Sequence, residues 1–408
     1  MVSGAASRFP SPKIPVREQT AVKADEYQVV RYHPEHRARL VELQRGLWSP
    51  YRRLNSDYLD WKHLRNPYTK EPLIYLAMLG DQVVGMRGFF GAKWQVGSPP
   101  QVFYAPGAGD LVIAPEHRNR GLVAQIMSSA LRDLAARGYA YSVSLSAGSL
   151  TLLSQIATGW RSIGALQVME RSPPAGHTAS AMRALVRRTA AAVTIHRRLS
   201  NASRRVRGWL PGVPSAGHFS VFDEWRGRRP PTMPSAIALS NSVLPGEMAV
   251  LVARLGSDGR ICHVQDEEYF RWRFQNPLSL YRFLYWQESR LEGFLVLRAS
   301  ALPWRSEIGI CAWAGTSPQV RSGLLAAATT CIGPQTLRIW SATLGETERT
   351  TLLSAGFRPA AQGITSNPRM ALIRPVRDEM LGEEWLADGR QVLDLRNWNL
   401  QMICSDGT

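Results

Sequence analysis

"DLVIAPEHRNRGLVAQIMSSALRDLAARG", residues 110–138, decides the fold. Leu111, Val112 and Ile113 form an apolar strand end. Pro115 to Gly121 form a short basic turn, and the leucine spacing from Leu122 to Arg137 is that of an amphipathic helix. The first turn of a helix presents backbone N–H groups without internal partners, and the aligned peptide dipoles make that end positive. A strand that turns on a glycine into a helix therefore makes an anion site. Gly121 lets the chain come close to a phosphate, and Arg118 and Arg120 add charge. The turn is suited to a pyrophosphate.

Outward from this junction, the pattern predicts an alternation of strands and helices. A strand is expected at 27–32, a helix through Leu40, Leu43 and Leu47, and a second helix over 58–64 that stops at Asn66-Pro67. Strands at 73–79, 83–95 and 103–113 precede the junction, the first two joined by a turn at Gly80-Asp81. A strand at 139–145 follows the junction helix, and then a helix through Leu152, Leu153 and Ile156 closed by Gly159.

The chain also repeats itself. "YLDWKHLRNP" (58–67) is answered by "YFRWRFQNP" (269–277), and Trp61 and Trp272 lie 211 residues apart. Each is followed by a pair of apolar strands, and "LLSQIATGWRSIG" (152–164) is matched by "TTLLSAGFRPA" (350–360). Two copies of one fold account for this. Trp61 and Asn66 recur as Trp272 and Asn276, which points to structural roles. With 408 residues, two domains are the expectation. The expected division is a flexible tail at 1–25, a first domain at 26–176, a basic linker helix at 177–212, a second domain at 213–375 and a C-terminal extension at 376–408.

Hydrophobic residues make up 45% and charged residues 20%, as in soluble globular proteins. No apolar run reaches membrane-span length, and the N-terminus has no secretory h-region. The four cysteines (Cys262, Cys311, Cys331, Cys404) form no CxxC pair and have no histidine at ligand spacing, so a reduced cytoplasmic setting without a metal is expected. The net charge is +17 and is concentrated locally. Between Ser172 and Phe222 no acidic residue occurs, while Arg183, Arg187, Arg188, Arg197, Arg198, Arg204, Arg205 and Arg207 crowd together. Leu185, Ala192, Leu199 and Val206, with Ile195, Ala202 and Trp209, make an apolar stripe opposite the arginines. Three readings of that helix stay open: packing on the second domain, peripheral contact with the inner face of an anionic membrane, or binding of tRNA phosphates. No DNA partner is expected.

The junction resembles the GNAT superfamily of acyl-CoA-dependent N-acyltransferases. The resemblance rests on Leu111, Ile113, Pro115, Arg118, Gly121 and Val123, read against an apolar strand, Val-x-Pro, Arg or Gln, two residues, Gly, one residue, then Gly or Ala. Val123 departs from the small residue usual there. The resemblance implies an α/β fold of two tandem GNAT-like domains, each a mixed, mostly antiparallel twisted sheet flanked by helices. It implies acetyl-CoA or another acyl-CoA as co-substrate. The amides of Arg118, Asn119, Arg120, Gly121, Leu122, Val123 and Ala124 would hold the coenzyme A pyrophosphate. The main chain of Leu111 and Ile113 would bind pantetheine and the thioester carbonyl.

The second copy, "GICAWAGTSPQVRSGLLAAATTC", keeps Arg321 but not the Arg-x-x-Gly spacing, so it reads as a degenerate domain walling the acceptor cleft. The reaction implied is direct attack by a primary amine, of an amino sugar or another amino-bearing metabolite, on the thioester in a ternary complex. Asp110 is the candidate for base or amine-orienting group, with a solvated strand-end carboxylate as the alternative; Glu116 and His117 read as loop surface. Ser146 and Ser149 could donate to thiolate or acceptor, or cap a helix. The family's Asn and Tyr of the next helix fall at Gly148 and Gln155, so the usual tyrosine acid is missing. Two other functions compete: an aminoacyl-tRNA-dependent, Fem-type transferase, and a GNAT-like binding protein without turnover.

Overall fold

The computed structural model describes residues 27–172, 233–302, 307–332, 335–360 and 369–405. The expected tail, the linker helix and Arg183, Arg187, Arg197, Arg198, Arg204 and Arg205 lie outside the described residues.

In chain order the first half runs β1 (Tyr27–Arg31), α1 (Arg37–Leu43), α2 (Arg52–Leu59), β2 (Leu73–Leu79), β3 (Gln82–Phe90), β4 (Lys93–Val96) and β5 (Gln101–Tyr104). It continues with β6 (Gly107–Ile113), α3 (Leu122–Ala136), β7 (Tyr141–Ala147), α4 (Ser149–Ile156), β8 (Arg161–Ala165) and β9 (Val168–Arg171). The second half runs β10 (Ile237–Ser240), α5 (Pro245–Leu255), β11 (Cys262–His263), α6 (Glu267–Arg273), β12 (Ser279–Gln287), β13 (Leu291–Ser300) and β14 (Ile308–Gly315). After it come α7 (Pro318–Ile332), β15 (Leu337–Trp340), α8 (Glu346–Ser354), β16 (Arg358–Pro359), β17 (Met370–Pro375), and the small hairpin β18 (Leu386–Ala387) and β19 (Arg390–Gln391).

Two seven-stranded sheets result, in the orders β1-β2-β3-β6-β7-β17-β8 and β10-β12-β13-β14-β15-β9-β16. Each has one parallel pair, β6 with β7 and β14 with β15, and is otherwise antiparallel. The sixth place in each sheet is taken by a strand from the other half: β17 sits between β7 and β8, and β9 between β15 and β16. Neither sheet is therefore built from one contiguous stretch of chain.

The two expected long strands are each broken. Residues 83–95 divide at Gly91-Ala92 and residues 103–113 at Ala105-Pro106. Beyond the breaks, β4 and β5 leave the main sheet and pair with β11 of the second half in a three-stranded sheet. The second expected helix is α2 followed by a π-turn over Asp60–Leu64, closed by Arg65 N–H to the Asp60 carbonyl at 2.8 Å. The wider turn faces three consecutive side chains inward, and Trp61, Lys62 and His63 are all buried.

The repeated tryptophans form the joint between the halves. Trp61 Nε1 donates to the Trp272 carbonyl at 2.8 Å, Trp272 Nε1 donates to the Trp61 carbonyl at 2.7 Å, and the rings stack at 5.1 Å. The contact is reciprocal, as across a two-fold axis. The C-terminal extension straps both halves together. Arg273 donates to the carbonyls of Ile403 and Ser405, Tyr269 to that of Ile403, and Tyr141 to that of Leu386. Trp385, Trp398 and Ile403 are buried in the core shared by the two halves.

Candidate active site

The junction of β6 and α3 folds as the spacing requires. A 3-10 turn over Pro115–His117 leads to Asn119 and Gly121, both in the left-handed region at φ +60° and +72°. Gly121 is the N-cap of α3, and a Cβ there would meet nothing within 4 Å, so it is the backbone angle that calls for glycine. Asn119, Gly121 and Ala124 are exposed. The backbone amides from Asn119 to Ala124 donate to no protein group among the described residues. They form the open cradle that an anion needs.

The side chains around the turn hold its shape. Arg118, itself exposed, donates through Nε to the Ile113 carbonyl at 3.2 Å. Arg120 donates to the Tyr27 hydroxyl and the Glu116 carbonyl. His117 is not a free surface residue: its Nδ1 shares a 2.9 Å hydrogen bond with Tyr27. Leu122 is buried, and Val123 packs against the same core under α3, so the bulk that departs from the family pattern rests on the sheet.

Beside the turn, β6 and β7 pair only at Gly107 with Val143. Past that point the strands diverge and leave a slot, with Leu111 half-buried and Ile113 buried along it. A bulge in β6 shapes the slot: Met86 pairs with Val112 and Gly88 with Gly109, so Asp110 and Leu111 oppose Arg87 alone. Asp110 takes φ +49° at the bulge, a strained angle for a non-glycine residue.

Asp110 is not the solvated strand-end carboxylate that its position allowed. Its side chain is fully buried, with Lys62 Nζ on Oδ1 at 2.7 Å and His63 Nε2 on Oδ2 at 2.6 Å. Burial alone would raise the carboxyl, but the Lys62 charge and the His63 hydrogen bond outweigh it and hold the group well below the usual carboxylate range. A carboxylate so strongly held in its charged form is a weak proton acceptor. Gly88 makes room for this cluster, since a Cβ there would stand 2.9 Å from His63 Cε1 and 3.1 Å from Asp110 Oδ2. Lys62 also lies over the rings of Trp48, Tyr58 and Phe90. The three charged and polar groups hold the bulge, and the bulge holds the slot.

Ser146 lies half-buried on β7 and caps nothing: the N-cap of α4 is Gly148, and Ser149 is the first helical residue. Gln155, at the place of the missing tyrosine, is buried with neither amide atom hydrogen-bonded among the described residues.

At the vertex of the slot lies a small cavity lined by Phe90, Trp94, Gly107, Val143, His263 and Cys404, among others. The second half supplies His263 and the C-terminal strap supplies Cys404, so the first half does not close this space alone. Burial pushes the Cys404 thiol up to about 12, which keeps it protonated and unfit to carry an acyl group. Burial, with the nearby Arg273 charge, pushes the His263 imidazole down to about 3, so it is neutral.

The second copy keeps the scaffold and closes the cradle. Ser317 caps the start of α7 through Oγ to the Val320 N–H, and Arg321 folds back onto the Gly315 carbonyl at 2.8 Å and approaches Glu348. The place of Lys62 is taken by Arg273, whose partners are main-chain carbonyls of the strap and the Tyr281 hydroxyl. Lys62 and His63 were the residues that sequence reasoning missed. The available signal was the basic residue after the tryptophan in both copies.

Comparison with known proteins agrees with this geometry. The model of the acetyltransferase (GNAT) domain matches residues 47–150, from the end of the α1 region to the start of α4. Among solved structures, a GCN5-related N-acetyltransferase from Anabaena variabilis ATCC 29413 superposes with a TM-score of 0.52 at 13% identity, covering 86% of this chain and 73% of that one. A conserved protein of unknown function from Enterococcus faecalis V583 also gives 0.52, at 12% identity, covering 86% and 72%. At these identities the likeness is one of fold. No curated protein matches the sequence.

Proposed function

With residues 47–150 forming an acetyltransferase domain of the GNAT type, we propose that the chain moves an acetyl group from coenzyme A to the primary amine of a small acceptor. The acceptor class, an amino sugar or another amino-bearing metabolite, is the one that the family resemblance suggests. The observation that carries the reading is the cradle of unengaged amides at residues 119–124 beside the diverging β6 and β7. The amides would take the pyrophosphate and the slot the pantetheine arm, bringing the thioester to the bulge. A main-chain N–H of β6 near Leu111 would stabilise the oxyanion as the amine attacks. The buried Lys62–Asp110–His63 cluster acts as the support of that strand; the amine proton passes to water or to a group of the acceptor cleft, the C–S bond breaks, and coenzyme A leaves as the thiolate, which water can protonate.

Calorimetric titration of acetyl-CoA into the full chain tests this, beside an Arg118→Ala, Gly121→Trp double variant. Saturable binding that the double variant abolishes is expected, and a screen of primary amines beginning with glucosamine then follows. If the folded protein binds no acyl-CoA, the proposal fails. Gel shifts with aminoacyl-tRNA would then take its place.

A further inference from the structure

His263 is 4% exposed, and neither of its ring nitrogens has a hydrogen-bond partner among the described residues. Its ring stands edge-on to Trp94 at 4.0 Å and packs against Tyr269. These contacts fix the imidazole without satisfying it. Buried polar atoms are nearly always paired, so two on one ring call for an explanation. The ring lines the cavity at the vertex of the β6–β7 slot, whose other walls are mostly apolar, with Ser405 and Cys404 of the strap beside it. Phe90 presses the outer end of its ring on Gly107, where a Cβ would stand 2.3 Å from it, and Trp94 is anchored by Nε1 to the Ala105 carbonyl at 3.0 Å.

We infer that His263, contributed by the second half of the chain, is a specificity-determining residue that limits the transferred acyl group to a short chain and reserves the end of the cavity for a polar atom. The inference rests on the acyl-CoA reading given above. A thioester held between β6 and β7 has this cavity ahead of its acyl carbons. A short acyl group stops before the imidazole, leaving the ring nitrogens to pair with the acceptor nitrogen or a water. A longer hydrocarbon would reach the ring and keep both nitrogens unpaired, which a polar wall penalises. The neutral imidazole offers one donor and one acceptor, the pair that an amine about to attack can use.

The test is a ladder of acetyl-, butanoyl-, hexanoyl- and octanoyl-CoA titrated calorimetrically into the full-length protein and into His263→Leu and His263→Gln. Wild type should bind the esters progressively more weakly beyond butanoyl. His263→Leu should shift the hexanoyl-to-acetyl affinity ratio by about tenfold towards the longer chain, while His263→Gln, which keeps a donor and an acceptor, should keep the wild-type ratio. A His263→Leu ladder that parallels wild type overturns the inference, and so does a wild-type ladder that is flat or favours long chains. Should His263→Leu fail to fold, His263→Met, which also removes both ring nitrogens, takes its place with the same expected shift. Absence of binding by every ester to wild type would instead bring down the acyl-CoA reading, and this inference with it.

Discussion

At the scale of single residues, the Lys62–Asp110–His63 cluster has the largest energetic consequence. Two opposite charges are held out of water within 2.7 Å, and removing one strands the other. Asp110→Ala should therefore cost about 3–5 kcal/mol in chemical denaturation at neutral pH. The pH dependence has a definite sign. The folded-state carboxyl lies below its unfolded value, so its stabilisation is fully present above about pH 4 and is lost as pH falls further. Wild type should lose stability on acidification through that range, and Asp110→Asn should lose less; parallel curves would remove the cluster from the account. Gly88→Ala probes the same place sterically. Its new methyl would press on His63 and Asp110, with an expected loss of about 1–3 kcal/mol.

At the scale of elements, the β6–α3 junction separates stability from binding. Gly121 has φ +72° and open space on the Cβ side, so Gly121→Ala introduces backbone strain and no clash within the protein. The expected cost to stability is about 1–2 kcal/mol, while the methyl projects beside the amides that would meet a phosphate. Acetyl-CoA affinity should fall by more than the stability change predicts, as read by calorimetry against thermal melting. The matching element of the second half should behave differently. Arg321 occupies the start of α7 and is engaged with Gly315 and Glu348, so Arg321→Ala should leave acetyl-CoA stoichiometry at one per chain.

At the scale of the whole molecule, the exchanged strands make the halves interdependent. Without β17, the first sheet has a gap between β7 and β8, and without β9 the second has one between β15 and β16. Open strand edges and uncovered apolar faces favour aggregation. A fragment of residues 1–176 should be insoluble when expressed alone and recovered when co-expressed with residues 213–408. A soluble, monomeric fragment with native-like circular dichroism would contradict this. The tryptophan joint gives a milder perturbation: Trp61→Ala should cost about 3–5 kcal/mol, and one unfolding transition should move for probes in both halves.

Local chemistry was enough to read the strand-turn-helix of residues 110–138, because the φ need of Gly121, the helix period after Leu122 and the apolar run before Pro115 are all written within a few residues. The repeat was legible for the same reason: Trp61 and Trp272 occupy equivalent positions, and equivalent packing keeps equivalent side chains. Which sheet takes β9 and which takes β17 was decided only by tertiary structure. Both are short runs that can fill a gap between two strands, and main-chain hydrogen bonds carry no side-chain label. The same holds for Asp110. Its carboxylate belongs to a strand end in the sequence, and only the packing of a π-turn 47 residues away brings His63, and Lys62 beside it, to its two oxygens. The cavity likewise needed the folded chain, since His263 reaches the vertex of the first sheet through β11 pairing with β4, a contact between distant segments that neither segment announces by itself.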